Sequence, residues 1–364
     1  MKKQSQIKKH AMGVAAALLM TAGMSQTALA NDSVYVNTSS LRYRTSAQIK
    51  DNNIAGNLSY GQKLERVESS GKWTTILLNG KKYYVSSEYV TNQKPASNGL
   101  VQAAGQTAVP QTSDGTAIVL SSNYKYANYS KINSGSAMLY RTTASDKKNK
   151  VVCVNAGHGT SGGGSVKTQC HPDGSAKVTG GTTGAGATSA VAVSSGMTFA
   201  DGTAESKVTL AMAKILKTKL LNAGYDVLMI RESDDVQLDN VARTVIANNN
   251  ADCHIALHWD STSSNKGAFF MSVPSNATYR AMEPVASHWQ QHNQLGESLV
   301  NGLRGEGVKI YSKGSMEMDL TQTSYSTIPS VDIELGDKAS DHSNATLEAL
   351  ANGLLAGVNA FFGK

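Results

Sequence analysis

Four side chains of this 364-residue chain have the types and placement that hydrolytic chemistry needs: His158, Glu205, His258 and Glu334. Two imidazoles and one carboxylate make the donor set of a catalytic zinc ion, which keeps a fourth position for water. Zinc lowers the pKa of such a water from 15.7 to roughly 7. A second carboxylate beside it can take the water's proton and pass it to a leaving amine. Glu334 suits that role because it stands nearest its strand tip. Asp332, on the same strand face, and Asp260 are alternative bases.

The local sequence predicts how these groups are held. Val-Val-Cys-Val-Asn-Ala at 151–156 reads as a short buried strand that runs into Gly157-His158-Gly159. A strand ending in a tight glycine turn is the layout of a site at the carboxyl edge of a parallel sheet. Apolar residues at Val208, Met212, Ile215, Leu216 and Leu220 have helical spacing and predict a helix over 203–222. Asp201 or Thr203 can cap its start and Gly224 can end it. Further strands are expected at 225–230, 252–257 (ending in His258) and 330–333 (ending in Glu334). Helices are expected at 236–249, 289–303 and through the stripe Leu347, Leu350, Leu354, Val358 and Phe361. Alternating strands and helices imply an α/β domain, its mostly parallel sheet covered by helices on both faces.

At these residues the chain resembles the zinc-dependent N-acetylmuramoyl-L-alanine amidases, which cleave peptidoglycan. The matching stretches are Asn155-Ala156-Gly157-His158-Gly159, Glu205 opening a long helix, and a strand ending near Arg231. Next come Arg243-Thr-Val-Ile-Ala247-Asn248, Ile255-Ala256-Leu257-His258 and Asp332-Ile333-Glu334-Leu335-Gly336, all in the family's order. The resemblance covers most of residues 150–364. It implies His158, Glu205 and His258 as Zn²⁺ ligands and Glu334 as the catalytic carboxylate. It also implies cleavage of the amide between the lactyl group of muramic acid and the L-alanine of the stem peptide. Asn155 stands where the family carries Asp, and its carbonyl is expected to orient an imidazole. Trp259-Asp260 replaces a small residue and Asn. Two rival readings are a zinc peptidase acting within the stem peptide or cross-bridge, and a wall-binding protein whose catalytic domain is inactive.

Residues 31–91 read as all-β. Asn79-Gly80 between two β-rich runs is a strong hairpin signal, because a type I′ turn needs positive φ at both positions. Five short strands suggest a small barrel. Leu41-Arg42-Tyr43-Arg44, Gly61, Trp73 and Asn79-Gly80-Lys81 leading to Tyr84-Val85 resemble the bacterial SH3-like domain of cell-wall hydrolases. That resemblance implies a peptidoglycan-binding module, with Trp73, Tyr83, Tyr84 and Tyr89 either lining a groove or filling the core. Residues 92–148 are expected to be a linker, partly ordered, ahead of a catalytic domain at 149–364.

Residues 1–30 carry four lysines, a short apolar run and Ala28-Leu29-Ala30, the order of a cleaved signal peptide. A secreted, wall-associated protein is expected, with no membrane span after cleavage. Those four lysines account for more than half of the net charge of +7. No basic block points to nucleic acid, and no Gly-Lys-Ser/Thr follows the glycine run at 162–164 to make a phosphate loop. Three cysteines argue against a disulfide scaffold. Cys153 and Cys253 read as core residues, and Cys170 as a loop residue. Among the remaining histidines, His254 is expected in the core, His171 in an insertion bordering the groove, His288 and His292 on an exposed helix face, and His342 in solvent.

Overall fold

The computed structural model describes residues 32–37, 40–50, 53–59, 62–94 and 115–364. The segment expected to be a signal peptide lies outside them, as do residues 95–114 of the expected linker. The chain divides into two units, with the division at residues 102 and 103.

In the first unit, seven strands form one antiparallel sheet. They are β1 (Asp32–Val36), β2 (Ser40–Arg44), β3 (Ile54–Ser59), β4 (Lys63–Ser70), β5 (Trp73–Leu78), β6 (Lys81–Ser86) and β7 (Val90–Thr91), in the order β3-β2-β6-β5-β4-β1-β7. Asn79 and Gly80 join β5 to β6 with φ of 52° and 75°, as a type I′ turn requires. Alternating inward residues, among them Val34, Val36, Leu64, Ile76 and Val85, make a small apolar core. Tyr83 packs on that core and stacks edge-on against Tyr43, whereas Tyr89 is exposed.

The second unit is built on eight strands: β8 (Thr116–Val119), β9 (Ser136–Tyr140), β10 (Val151–Ala156), β13 (Asp226–Met229), β14 (Cys253–Asp260), β15 (Ala268–Ser272), β16 (Ile310–Glu317) and β17 (Ser330–Asp337). A separate hairpin, β11 (Lys167–Gln169) and β12 (Ser189–Val191), lies between β10 and β13 in the chain. The sheet order is β16-β15-β17-β14-β10-β13-β9-β8. It is a mixed sheet. The central run β17-β14-β10-β13 is parallel, but β15 runs antiparallel to β17 and β9 antiparallel to β13. Two of the four outer strands, β8 and β9, come from the stretch expected to be linker. The ordered unit therefore begins upstream of residue 149.

The central strands bury one apolar face, and the other face is partly apolar, through Cys153 and Leu228, and partly polar, through Asn155, Asp332 and Glu334. Val152, Val154, Ile255, Leu257, Val331 and Ile333 pack with α1 (Glu205–Asn222), α4 (Val285–Gly305) and α6 (Asn344–Phe362). Cys153 packs on the opposite side with Ala242 and Ile246 of α2 (Asn240–Asn250). Two short helices, α3 (Ala277–Ala281) and α5 (Thr321–Tyr325), complete the unit. The helix expected at 203–222 starts at Glu205, with Ala204 at the capping position and no side-chain cap, so neither Asp201 nor Thr203 caps it. The helix α6 is long and apolar enough to cross a membrane by length and composition. Its apolar stripe is buried against α1 and α4. All three cysteines are free and buried.

Candidate active site

Three of the four sequence-predicted groups meet at one point. His158 Nε2 lies 2.9 Å from Glu205 Oε1. His258 Nδ1 lies 3.0 Å from His158 Nε2 and 3.3 Å from Glu205 Oε1. Donors about 2.0–2.1 Å from a tetrahedral zinc ion are about 3.3 Å apart, so this spacing suits one small cation.

The tautomers suit it too. The Nδ1–H of His158 donates to the Ser194 carbonyl at 2.9 Å. A carbonyl only accepts, so the proton sits on Nδ1 and Nε2 presents its lone pair to the centre. Burial alone would raise the Glu205 pKa, but the hydrogen bonds to His158 and His258 hold it well below the usual carboxylate range. Burial disfavours a charged His258, yet Asp332 and then Glu205 push it up to about 10. The pocket is thus built to hold a positive charge, and a metal ion can take the place of that proton. Backbone shape agrees. A Cβ on Gly157 would fall 2.3 Å from His258 Cε1, and one on Gly196 would fall 2.7 Å from His158 Cδ2. Only glycine leaves room for these rings.

The elements that hold the donors differ from the simplest expectation. His258 and Glu334 do not end their strands, which continue to Asp260 and Asp337; the ladder instead shifts register after His258. His158 has φ of 63°, a left-handed conformation that few side chains adopt. Two buried guanidinium groups hold that turn. Arg243 donates to the Ala156 and His158 carbonyls and to Asn155 Oδ1 and Thr160 Oγ1. Arg231 donates to the Gly157 and Ser206 carbonyls, tying the turn to the start of α1. Burial pushes Arg231 down to about 10 and Arg243 to about 9. Glu205 is fixed by the Trp259 N–H on Oε1 at 3.0 Å and the Met197 N–H on Oε2 at 2.8 Å. As the first residue of α1, it also meets the positive end of the helix dipole.

Asn155 does not orient a donor imidazole. Its Oδ1 accepts from Arg243 and its Nδ2 faces His254 Nε2. Ser194 does that work for His158, through a backbone carbonyl that no residue type announces in sequence.

Glu334 stands opposite His258 in the register of the parallel strands β14 and β17. Its Oε2 is buried with no hydrogen-bond partner among the described residues. Burial and then Asp332 push its pKa up to about 8. Asp260 is tied to Lys266 in an ion pair. Asp332 faces His258 Nε2 at 3.6 Å. All three carboxylates line one cleft of about 510 Å³ with the donor cluster. The insertion at 160–202 contributes a wall, through Thr182, Thr183 and Val193, and Met271, Met316 and Met318 also line the cleft. Asp319 pins that insertion, accepting from His171 Nε2 at 2.9 Å, from the Val178 N–H at 2.7 Å, and pairing with Lys177.

Of the other histidines, one falls where expected and three depart from expectation. His254 is a core residue, as expected. His292 is buried, not exposed, and accepts from the Ser330 N–H. His171 is fully buried rather than bordering the groove. His342 is not free in solvent: its ring packs on Phe199 and pairs with Asp201.

A family model described as N-acetylmuramoyl-L-alanine amidase matches residues 152–359, more than half of the chain. The chain belongs to this amidase family. It is therefore an N-acetylmuramoyl-L-alanine amidase, a peptidoglycan hydrolase. Among solved structures, the amidase is similar to the N-acetylmuramyl-L-alanine amidase Ami1 from Mycobacterium smegmatis, with 17% identity over 60% of this chain and 99% of that one, and a TM-score of 0.49. It is also similar to an N-acetylmuramoyl-L-alanine amidase from Clostridium difficile 630, with 16% identity over 59% and 97% of the two chains and a TM-score of 0.43. A third is the amidase AmiC2 of Nostoc punctiforme, with 16% identity over 60% and 100% and a TM-score of 0.42. No curated protein sequence matches the chain.

Proposed function

We propose that the amidase uses His158, Glu205 and His258 to hold one Zn²⁺ and Glu334 as its catalytic acid and base. The observation that carries this is the convergence of three donor atoms within 3.3 Å of one another, beside two glycines that a Cβ would turn into obstructions. Bound zinc would supply Lewis acidity at the amide carbonyl and lower the pKa of a neighbouring water.

The chain's own groups do the rest. Glu334 accepts the proton of the attacking water and delivers it to the alanine nitrogen as the C–N bond breaks. Its raised pKa suits a group that must both take and return a proton. Asp260 is held by Lys266, which supports Glu334 over it as the base. The wall made by residues 160–202 covers one side of the cleft and orients the stem peptide along it.

The first unit is proposed to be an SH3-like module that holds the enzyme on peptidoglycan, with Tyr89 and the half-buried Trp73 and Tyr84 as contact residues. Secretion follows from the signal-like residues 1–30, so the mature chain would begin at Asn31.

The test is mass mapping of digested peptidoglycan. Release of stem peptides with a free L-alanine amine, leaving the lactyl sugar intact, supports the assignment. Glu334→Gln should keep zinc and lose turnover; full activity in that variant would remove Glu334 from the mechanism.

A further inference from the structure

His258 has two ring nitrogens, and only one can face a cation. Nδ1 points to the donor cluster, 3.0 Å from His158 Nε2. It must therefore be unprotonated when it binds metal, which leaves the proton on Nε2. Nε2 faces Asp332 Oδ2 at 3.6 Å. That gap is slightly longer than a hydrogen bond and far too short to admit a water.

The strand pairing explains the placement. In the register of β14 and β17, Ala256 is opposite Asp332 and His258 is opposite Glu334. Asp332 and Glu334 are two residues apart and share a face. Glu334 stands directly across from His258 and Asp332 diagonally across from it, and both line the cleft. Asp332 Oδ1 is buried without a hydrogen-bond partner among the described residues. Its chain neighbours Val331 and Ile333 point into the apolar core on the other face. A carboxylate oxygen buried without a hydrogen bond is costly unless a positive group nearby compensates it, and the His258 ring is the group that faces Asp332.

We propose that Asp332 is a positioning residue for zinc. It accepts the Nε2–H of His258, fixes the tautomer that presents Nδ1, and makes that nitrogen a stronger donor. The inference rests on the reading of His158, Glu205 and His258 as the metal ligands. It gives the two carboxylates of β17 separate tasks: Asp332 holds the ligand, and Glu334 moves the proton.

The test measures zinc affinity of the full chain by competition with a chromogenic chelator, for wild type, Asp332→Asn, Asp332→Leu and His158→Ala. Long-range ¹⁵N–¹H spectra of the zinc-loaded proteins report the protonated nitrogen of His258. Asp332→Leu should weaken zinc binding on the order of 10- to 100-fold. Asp332→Asn, which keeps an acceptor oxygen but no charge, should lose less and retain the Nε2–H tautomer. Affinity within twofold of wild type in Asp332→Leu, or in Asp332→Asn if the leucine variant does not fold, would overturn the role of Asp332. If His158→Ala also kept wild-type affinity, the ligand assignment itself would fail, so the two failures are distinguishable.

Discussion

Gly196 packs against His158 so closely that a methyl group in its place would fall 2.7 Å from the ring carbon Cδ2. The same methyl would fall 2.9 Å from Glu205 Oε2. Its φ of +81° adds strain for any other residue. Gly196→Ala should therefore separate two zinc donors without touching the core. Zinc affinity should fall on the order of 10- to 100-fold, as when groups that orient ligands are lost. Chelator competition checks this, with the thermal midpoint of the metal-free chain as control.

Arg243 should be more sensitive than its charge suggests. Its buried guanidinium donates to four groups of the 155–160 turn and to the Leu238 carbonyl. Lysine cannot reproduce that fork. Arg243→Lys should leave several buried acceptors unpaired and cost about 2–4 kcal/mol. Urea unfolding of the full chain measures it; a loss below about 0.5 kcal/mol, ordinary for a surface substitution, would contradict the clamp.

The insertion should affect substrate handling but not metal. Asp319 joins His171, Lys177 and the Val178 N–H, and so fixes the wall of the cleft. Asp319→Asn should lower kcat/KM by roughly tenfold or more, since small misplacements of positioning groups carry large costs. Zinc content should stay at the wild-type value. Loss of zinc together with activity would show that the insertion supports the donors instead.

Acid should destabilise the amidase through two neutral histidines. Burial, with Arg243 nearby, pushes His254 down to about 3. Burial and then His288 do the same to His292. Above pH 6.5 both are neutral in either state and contribute nothing. Between pH 6.5 and about 3 the unfolded chain binds more protons, so stability falls as pH falls. Each histidine should contribute about 1.4 kcal/mol per pH unit in that window. In His292→Asn the amide oxygen can still accept from the Ser330 N–H. The pH slope of its urea midpoint should be shallower by one histidine's share; an unchanged slope would assign acid loss to the carboxylates alone.

The parts of this picture that sequence made legible are those that depend on local pattern. The β-branched run at 151–156, the helical stripe of α1 and the Asn79-Gly80 turn each name their own structure. The four candidate residues were also legible, because their chemistry is carried by side-chain type. Other parts depended on tertiary context. Strands β15 and β16 were missed: β15 is apolar from Ala268 to Met271, without alternation, and β16 is mostly polar. β15 docks antiparallel on β17 with β16 parallel beside it, and this, with β9 antiparallel to β13, makes the sheet mixed. His292 looked like part of an exposed face until the start of β17 covered it. The orienting group on His158 is a carbonyl of Ser194, and carbonyls leave no signature in residue type. Asp332 was visible only as a rival base, because sequence could not show which ring nitrogen of His258 it faces.

The central claim is that His158, Glu205 and His258 hold the catalytic metal. Zinc content per chain, measured on purified wild type and Glu205→Ala, tests it most directly. One zinc per wild-type chain and almost none in the variant is the expected result. A variant that keeps its full complement, or a wild type that cuts peptidoglycan after its metal is stripped, would contradict it.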